Sequence, residues 1–517
     1  MRKFKKFLTL LVALSMVLTF NIAAFAAPSS DDKATVKVTN VEEGATVTAY
    51  QIVKGKYTSG GLTGWESVLT GIPATPDKPN NEEIQTLSKR TSELTTTYSM
   101  TWNATDKAYE ASVPAGSYLV VVTGGTSGKI YNPLIVSASY ADDGSLTGGT
   151  ASANSNMNLN GQTAYAKSND KPDVDKTIVG SGSGNNHGDD VAIGDSVAFE
   201  ITGTIPSYSE QYTNATYTIT DTLSAGLTAP EASAVTVKVG DAAVTSPNCT
   251  VSVNGQVITI AFSSEYILSI ADETNRDVSV TYSAVLNENA QINMGDNPNT
   301  VKLTYSDTPT TTTDSDEKKT HTYTFGIDAA LNDTTGHKTH EVTKVSETTT
   351  DEGTTTRPLA GAQFTLYDSQ GNPVGKTTSG TTGVATSDNA GQLSFWGLDA
   401  GTYKLVETQA PTGYSLDSTP HKVEITATYN TDGTLASYSV VIDGTATSTY
   451  TATYDNGTIT KVVYPGDDET TKIKNTKITG LPSTGGIGTY VFTIGGAALM
   501  VIAIFMIVAG KRNRRTV

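Results

Sequence analysis

Two stretches of this 517-residue chain carry a lysine near one end, an asparagine near the other and a carboxylic acid between them. The first opens with Asp173-Val174-Asp175-Lys176-Thr177-Ile178 and closes with Asn297-Pro298-Asn299-Thr300-Val301-Lys302-Leu303. Between them stands Tyr217-Thr218-Ile219-Thr220-Asp221-Thr222-Leu223. The second opens with Val342-Thr343-Lys344-Val345 and closes with Lys472-Ile473-Lys474-Asn475-Thr476-Lys477. Its middle reads Tyr403-Lys404-Leu405-Val406-Glu407-Thr408-Gln409-Ala410-Pro411-Thr412-Gly413-Tyr414. A lysine buried among apolar side chains loses the hydration of its charge, so its pKa falls and the neutral amine becomes a nucleophile. A carboxyl group in the same dry site is pushed toward its protonated form. It can then polarise a carboxamide and shuttle a proton while ammonia leaves. Such chemistry calls for no cofactor and no metal.

Other chemical signatures are weak. Gly124 to Lys129 looks faintly like a phosphate loop, but the glycine spacing is wrong and Ile130 stands where Ser or Thr is needed. His337 and His340 would need further metal ligands that their neighbourhood does not supply. Five histidines in the whole chain leave little material for general-base catalysis, and an enzyme is not expected. The formal charge of −17 deepens to −25 once the eight basic residues of the two ends are removed, which leaves no footprint for nucleic acid. The single cysteine, Cys249, cannot form an internal disulfide and reads as a small buried apolar residue.

The elements that must position these groups are strands. Ala45 to Val53, Ser196 to Ile205, Ala215 to Leu223, Gln256 to Phe262, Val278 to Val285, Gln363 to Tyr367 and His421 to Tyr429 alternate apolar and polar residues and are rich in Val, Ile, Thr and Tyr. One short helix is expected over Glu82 to Leu94, capped by Asn80 or Asn81. Crossover helices are missing, so the fold class is all-β: an elongated row of immunoglobulin-like sandwiches. Apolar-poor segments at Ser168 to Asp173 and Thr308 to Lys319 divide the row, while Thr-rich Ser346 to Thr356 reads as a long loop.

Both ends are processing signals. Arg2, Lys3, Lys5 and Lys6 precede an apolar run from Phe7 to Phe20 and the small-x-small spacing of Ala24, Phe25 and Ala26, a signal peptide cut after Ala26. A second apolar stretch, 489–510, is long enough for a helix to cross a bilayer of about 30 Å at about 1.5 Å per residue. Lys511, Arg512, Arg514 and Arg515 follow and should stay cytoplasmic. Ahead of it stands Leu481-Pro482-Ser483-Thr484-Gly485-Gly486. Motif, span and basic tail together resemble the cell-wall sorting signal of sortase substrates. The resemblance implies that a sortase cysteine attacks the Thr484 carbonyl and releases the part beginning at Gly485.

The paired stretches resemble the isopeptide-forming domains of Gram-positive pilins and adhesins. The later one looks like a collagen-adhesin B-type domain, and the earlier one like the central immunoglobulin-like domain of backbone pilins. The resemblance implies a Lys176 to Asn299 bond assisted by Asp221, with Glu200 a possible substitute, and a Lys344 to Asn475 bond assisted by Glu407. Closing a loop of about 100 residues would contribute roughly 4 to 5 kcal/mol through the unfolded state, by analogy with disulfides. In the first block Lys37, on the strand from Thr35 to Val38, is a candidate nucleophile without an assignable asparagine.

Ala164-Tyr165-Ala166-Lys167 stands where backbone pilins carry a Tyr-Pro-Lys-type motif whose lysine accepts the threonine of the next subunit; Ala166 replaces the proline. Lys167 is the expected acceptor and Lys171 its rival. The partition expected is 1–26 signal peptide, 27–167 N-terminal pilin domain, 168–318 central domain, 319–478 collagen-adhesin B-type domain and 479–517 sorting signal. The resemblance implies the structural backbone subunit of a covalent surface pilus, secreted and anchored to the cell wall. Its implied partners are a pilus-type and a housekeeping sortase, further copies of itself, ancillary tip or base pilins and peptidoglycan. The alternative is a monomeric wall-anchored adhesin or ancillary pilin that binds a host or matrix ligand.

Overall fold

The computed structural model describes residues 28–59, 61–71, 81–140, 159–209, 212–332, 336–350, 353–444, 446–455, 457–465, 470–478 and 487–513. Strands dominate them, arranged as three successive two-sheet bodies with separate hydrophobic cores.

In the first body, Lys33–Thr39 turns Ala34, Val36 and Val38 inward and Lys33, Thr35 and Lys37 outward, the period-2 pattern of a strand with one wet face. It pairs antiparallel with Ala108–Pro114 and parallel with Thr163–Tyr165. The facing sheet is built around Thr46–Thr58, Gly116–Thr123 and Leu134–Ser139. The expected helix is present as Asn81–Lys89, followed by a single 3₁₀ turn at Thr91–Glu93. Leu87 and Leu94 from this segment cover Ile52 and Leu119 in a satellite cluster.

The middle body packs a sheet containing Val174–Ile178, Ser196–Thr204 and Asp277–Leu286 against one containing Tyr217–Leu223, Asn297–Ser306 and Lys318–Tyr323. Phe199, Tyr217, Ile258, Val280 and Val301 fill the space between. Cys249 is buried in this core, and burial pushes its thiol up to about 11, so it behaves as the apolar filler expected.

The third body carries a seven-stranded sheet from Val384–Thr386 to Thr458–Val463, with Gln363–Tyr367, Gly401–Gln409 and His421–Tyr429 at its centre. Against it lie Gly353–Pro358, Val342–Thr350 and Thr471–Thr476, the last two parallel.

Two details differ from the sequence expectations. Lys318–Tyr323 pairs with Asn297–Ser306, so the middle sheet runs past residue 318, and Tyr323 at the end of that strand already packs into the third body's core beside Phe325. Ser346 to Thr356 is not a loop: Val342–Thr350 and Gly353–Pro358 form a hairpin, because a threonine-rich run has high strand propensity even when both faces are wet. At the other border Ser168–Asn169 pairs with Ile130–Tyr131, which ties the segment after Lys167 to the first body.

The C-terminal helix, Ile487–Asn513, covers the apolar stretch, and its side chains from Val491 to Ile507 are largely exposed. Counted over the described residues alone, no helix is long and apolar enough to cross a membrane. The signal peptide and the motif around Thr484 and Gly485 lie outside the described residues.

Candidate functional site

Each lysine site is made by polar residues occupying core positions of otherwise apolar alternating strands. In the middle body Val174, Lys176 and Ile178 point inward together, as do Ile219, Asp221 and Leu223, and as do Asn299, Val301 and Leu303. Asp221 and Asn299 sit on neighbouring strands of one sheet, with Leu223 opposite Asn299 and Asp221 opposite Val301. Lys176 reaches them from the other sheet, across the core.

Lys176 is fully buried, with its Nζ 2.7 Å from both Asp221 carboxylate oxygens and 2.9 Å from the Tyr282 hydroxyl. The Phe199 and Tyr282 rings lie 5.1 and 5.2 Å from the same nitrogen. Burial pulls the Lys176 pKa down to about 8, although Asp221 acts in the opposite sense. Asn299 Nδ2 donates to the Tyr282 hydroxyl at 2.6 Å, and that hydroxyl donates to Asp221 Oδ2. The Asn299 carbonyl oxygen is buried without a hydrogen-bond partner. Glu200, the possible substitute for Asp221, faces away: its strand turns Phe199 and Ile201 inward, and its carboxylate accepts from the Ser279 hydroxyl at 2.9 Å.

The third body repeats the theme with different strands. Lys344 and Asn475 stand on the adjacent parallel strands Val342–Thr350 and Thr471–Thr476, where Lys344 is opposite Ile473 and Asn475 opposite Ser346. Glu407 comes from the facing sheet, at the inward position after Tyr403 and Leu405. All three side chains are buried. Lys344 Nζ lies 2.6 Å from Asn475 Oδ1 and 3.2 Å from Glu407 Oε2, and Asn475 Nδ2 donates to Glu407 Oε1 at 2.7 Å. The Phe364 ring is 5.4 Å from the amine. Burial holds the Lys344 pKa below the ordinary lysine range, again opposed by its carboxylate.

In both bodies the structure brings together the lysine, acid and asparagine singled out in the sequence, and in the middle body it adds Tyr282, which the sequence had not singled out. Its signal was present: in Asp277–Leu286 the residues Val278, Val280, Tyr282, Ala284 and Leu286 all face inward, and Tyr282 is the polar member of that row. Lys37 is the correction. It lies on the wet face of its strand, one-third exposed, and pairs with Asp106 and with Glu110 at 2.8 Å. Those carboxylates raise its pKa, the reverse of what a nucleophile needs. No buried lysine is found among the described residues of the first body. A Lys37→Ala chain should therefore lose as many ammonia molecules as the parent, measured by intact mass. The Gly124 to Lys129 turn holds a carboxylate of its own, since the Ser127 amide and hydroxyl and the Thr126 hydroxyl all donate to Glu42.

Four segments of the chain match known protein families. Residues 31–168 match a T6 antigen Ig-like domain, 193–309 a Gram-positive pilin backbone subunit 2 Cna-B-like domain, 339–437 a prealbumin-like fold domain and 473–516 an LPXTG cell wall anchor motif. The chain is 29% identical to the trypsin-resistant surface T6 protein of Streptococcus pyogenes serotype M6, over 97% of this chain and 99% of that one. The chain carries the domains and the wall anchor of Gram-positive backbone pilins. Its fold is that of the three-domain T6 backbone pilin of serotype M6 S. pyogenes, with a TM-score of 0.61 and 21% identity over 88% of this chain and 100% of that one. This pilin is thus a structural subunit of a surface pilus anchored to the cell wall.

The two acceptor candidates of the pilin differ in freedom. Lys167 is exposed, but its backbone is fixed: its carbonyl accepts from the Asn132 amide at 2.9 Å, and the preceding Ala166 is buried and held by Thr39 and Asn40. Lys171 is one-third exposed, its stem runs close to Gly128, and its amine lies 3.7 Å from Asp316.

Proposed function

We propose that the chain polymerises head to tail through Lys167. After signal-peptide cleavage a pilus-type sortase cleaves between Thr484 and Gly485. The acyl-enzyme is then attacked by the Lys167 amine of a neighbouring copy. The last subunit passes to peptidoglycan by the same thioester chemistry on a housekeeping sortase, and ancillary tip or base pilins complete the fibre. The observation that carries the acceptor assignment is the contrast among lysines: Lys176 and Lys344 are sealed in cores, whereas Lys167 is exposed on a hydrogen-bonded backbone between two domains. Lys167→Ala should abolish the high-molecular-weight ladder in wall extracts while leaving monomer anchoring intact, and Lys171→Ala should leave the ladder unchanged. A ladder that persists in Lys167→Ala refutes the acceptor.

Inside the subunit, Lys344 attacks the Asn475 side-chain carbonyl carbon and ammonia departs, with Glu407 passing the proton from amine to leaving nitrogen. Lys176 and Asn299 react likewise beside Asp221. What supports this is that both Glu407 oxygens are engaged, one with each reacting group. Domain limits that respect the strand pairing are 28–169, 170–323 and 324–478.

A further inference from the structure

The two lysine sites use acids of different length. Glu407 reaches both partners, with Oε2 toward the Lys344 amine and Oε1 accepting from Asn475 Nδ2. Asp221 is one methylene shorter and spends both oxygens on Lys176. The place next to the asparagine nitrogen is taken instead by the Tyr282 hydroxyl, 2.6 Å from Asn299 Nδ2 and 2.9 Å from Lys176 Nζ, which also donates to Asp221 Oδ2. In the third body the ring over the amine is Phe364, which has no hydroxyl to offer.

We propose that Tyr282 is a catalytic residue of the middle domain, relaying a proton between Asp221 and the departing nitrogen of Asn299. The proposal rests on the reading that Lys176 and Asn299 become joined. The neutral Lys176 amine attacks Asn299 Cγ, forming the new C–N bond, and one amine proton passes to the Asp221 carboxylate. Once Cγ is tetrahedral, the Nδ2 lone pair is no longer delocalised and can accept a proton, which the adjacent phenol supplies. Tyr282 recovers a proton from Asp221, the Cγ–Nδ2 bond breaks with its electron pair on nitrogen, and ammonia leaves. Acid and phenol return to their starting forms, and the joined amide keeps one proton on Nζ. Burial and the neighbouring carboxylate hold the free phenol's pKa well above its ordinary value, so it transfers its proton only when another replaces it, as a relay does.

The test uses the full chain with Tyr282→Phe, followed by intact mass and by digestion to assign each crosslink. The parent should lose two ammonia molecules. The variant should lose the third-domain one on the parental schedule and the middle-domain one at least ten-fold more slowly. Asp221→Glu in the Tyr282→Phe background should restore the second loss, because glutamate spans both groups as Glu407 does. Cys249, unreactive to a thiol reagent while its core is intact, reports folding independently. Middle-domain ammonia loss at the parental rate in Tyr282→Phe overturns the relay, as does a folded double variant without the bond. If Tyr282→Phe does not fold, 3-fluorotyrosine incorporated at 282 keeps the shape and must shift the pH dependence of ammonia release; an unchanged profile overturns the proposal. A parent lacking the middle-domain crosslink refutes the underlying reading instead.

Discussion

An Asn475→Ala chain is expected to melt its third domain on the order of 15 °C below the parent, with the middle-domain transition unmoved. Lys344 and Asn475 are separated by 131 residues, so their bond closes a loop that takes in almost the whole domain. In the loop-entropy account a closure of that length is worth about 5 kcal/mol. For a domain of roughly 150 residues each kcal/mol moves the midpoint by about 3 to 4 °C. The choice of Asn475 matters. Removing Glu407 would leave the amine buried beside no counter-charge, which costs roughly 3 to 5 kcal/mol by itself and would obscure the crosslink. With Asn475→Ala the Lys344–Glu407 pair survives, so calorimetry reads mainly the missing bond. Coincident transitions within a few degrees, or an unchanged ammonia loss, would remove the third-domain bond from the account.

Much of this was legible in the sequence because the site residues break a pattern. A strand that reads apolar at every second position and then places Lys176, Asp221 or Asn299 in that register either wastes a core position or uses it. Glu200 could have been excluded on the same ground, since its neighbours Phe199 and Ile201 claim the inward register. Tyr282 escaped notice because tyrosine is an ordinary strand residue and half apolar, so its presence in a buried row raised no conflict. Lys37 misled for the opposite reason. It sits on the first strand, as the reactive lysines do, but one register position out of phase with Val36 and Val38, and phase decides between a dry amine and a wet one. The hairpin at 342–358 was hidden because polarity was taken for irregularity, whereas threonine favours extended backbone regardless of which face is wet.

Topology and chemistry point the same way. In the third domain the first and last long strands are parallel neighbours, so tension applied at the two ends shears all their backbone hydrogen bonds at once, and the Lys344–Asn475 bond joins the two strands in that arrangement. The first domain has the same parallel pairing, Lys33–Thr39 with Thr163–Tyr165, and Lys37 is opposite Thr163 there without a buried amine to reinforce it. In the middle domain the first strand lies in one sheet and the Asn299 strand in the other, so a bond there holds the two layers of the sandwich together.

Asp328→Ala is expected to cost the third domain about 5 kcal/mol and with it most of its crosslink. Asp328 is wholly buried and accepts from the Glu341, Val342 and Leu393 amides at 2.8, 3.1 and 2.8 Å. Three orphaned donors at roughly 1 to 3 kcal/mol each rival the roughly 5 to 15 kcal/mol that a domain has in total. The residue also holds φ at +47°, which Asp tolerates better than Ala. Its contacts fix the entry of the Lys344 strand, and Gly391, two residues before Leu393, accepts the Lys344 amide. Glu341 completes the cluster, accepting from the Asp328 amide at 2.7 Å and from the Tyr450 hydroxyl. Burial, and for Asp328 also repulsion from Glu341, raises both carboxyl groups above their ordinary values of 3.8 and 4.5. A raised folded-state value means that the stabilising contribution is complete below the unfolded value and is lost as pH rises through the folded one. The domain should accordingly lose stability as pH rises from about 4 through the raised folded-state values. Glu341→Gln keeps an acceptor for the Asp328 amide while removing the repulsion, so its melting point should fall less than the parent's over that interval. Parallel pH profiles for parent and Glu341→Gln would show that the pair does not titrate with folding, and a fully crosslinked Asp328→Ala domain would show that the strand entry needs no carboxylate.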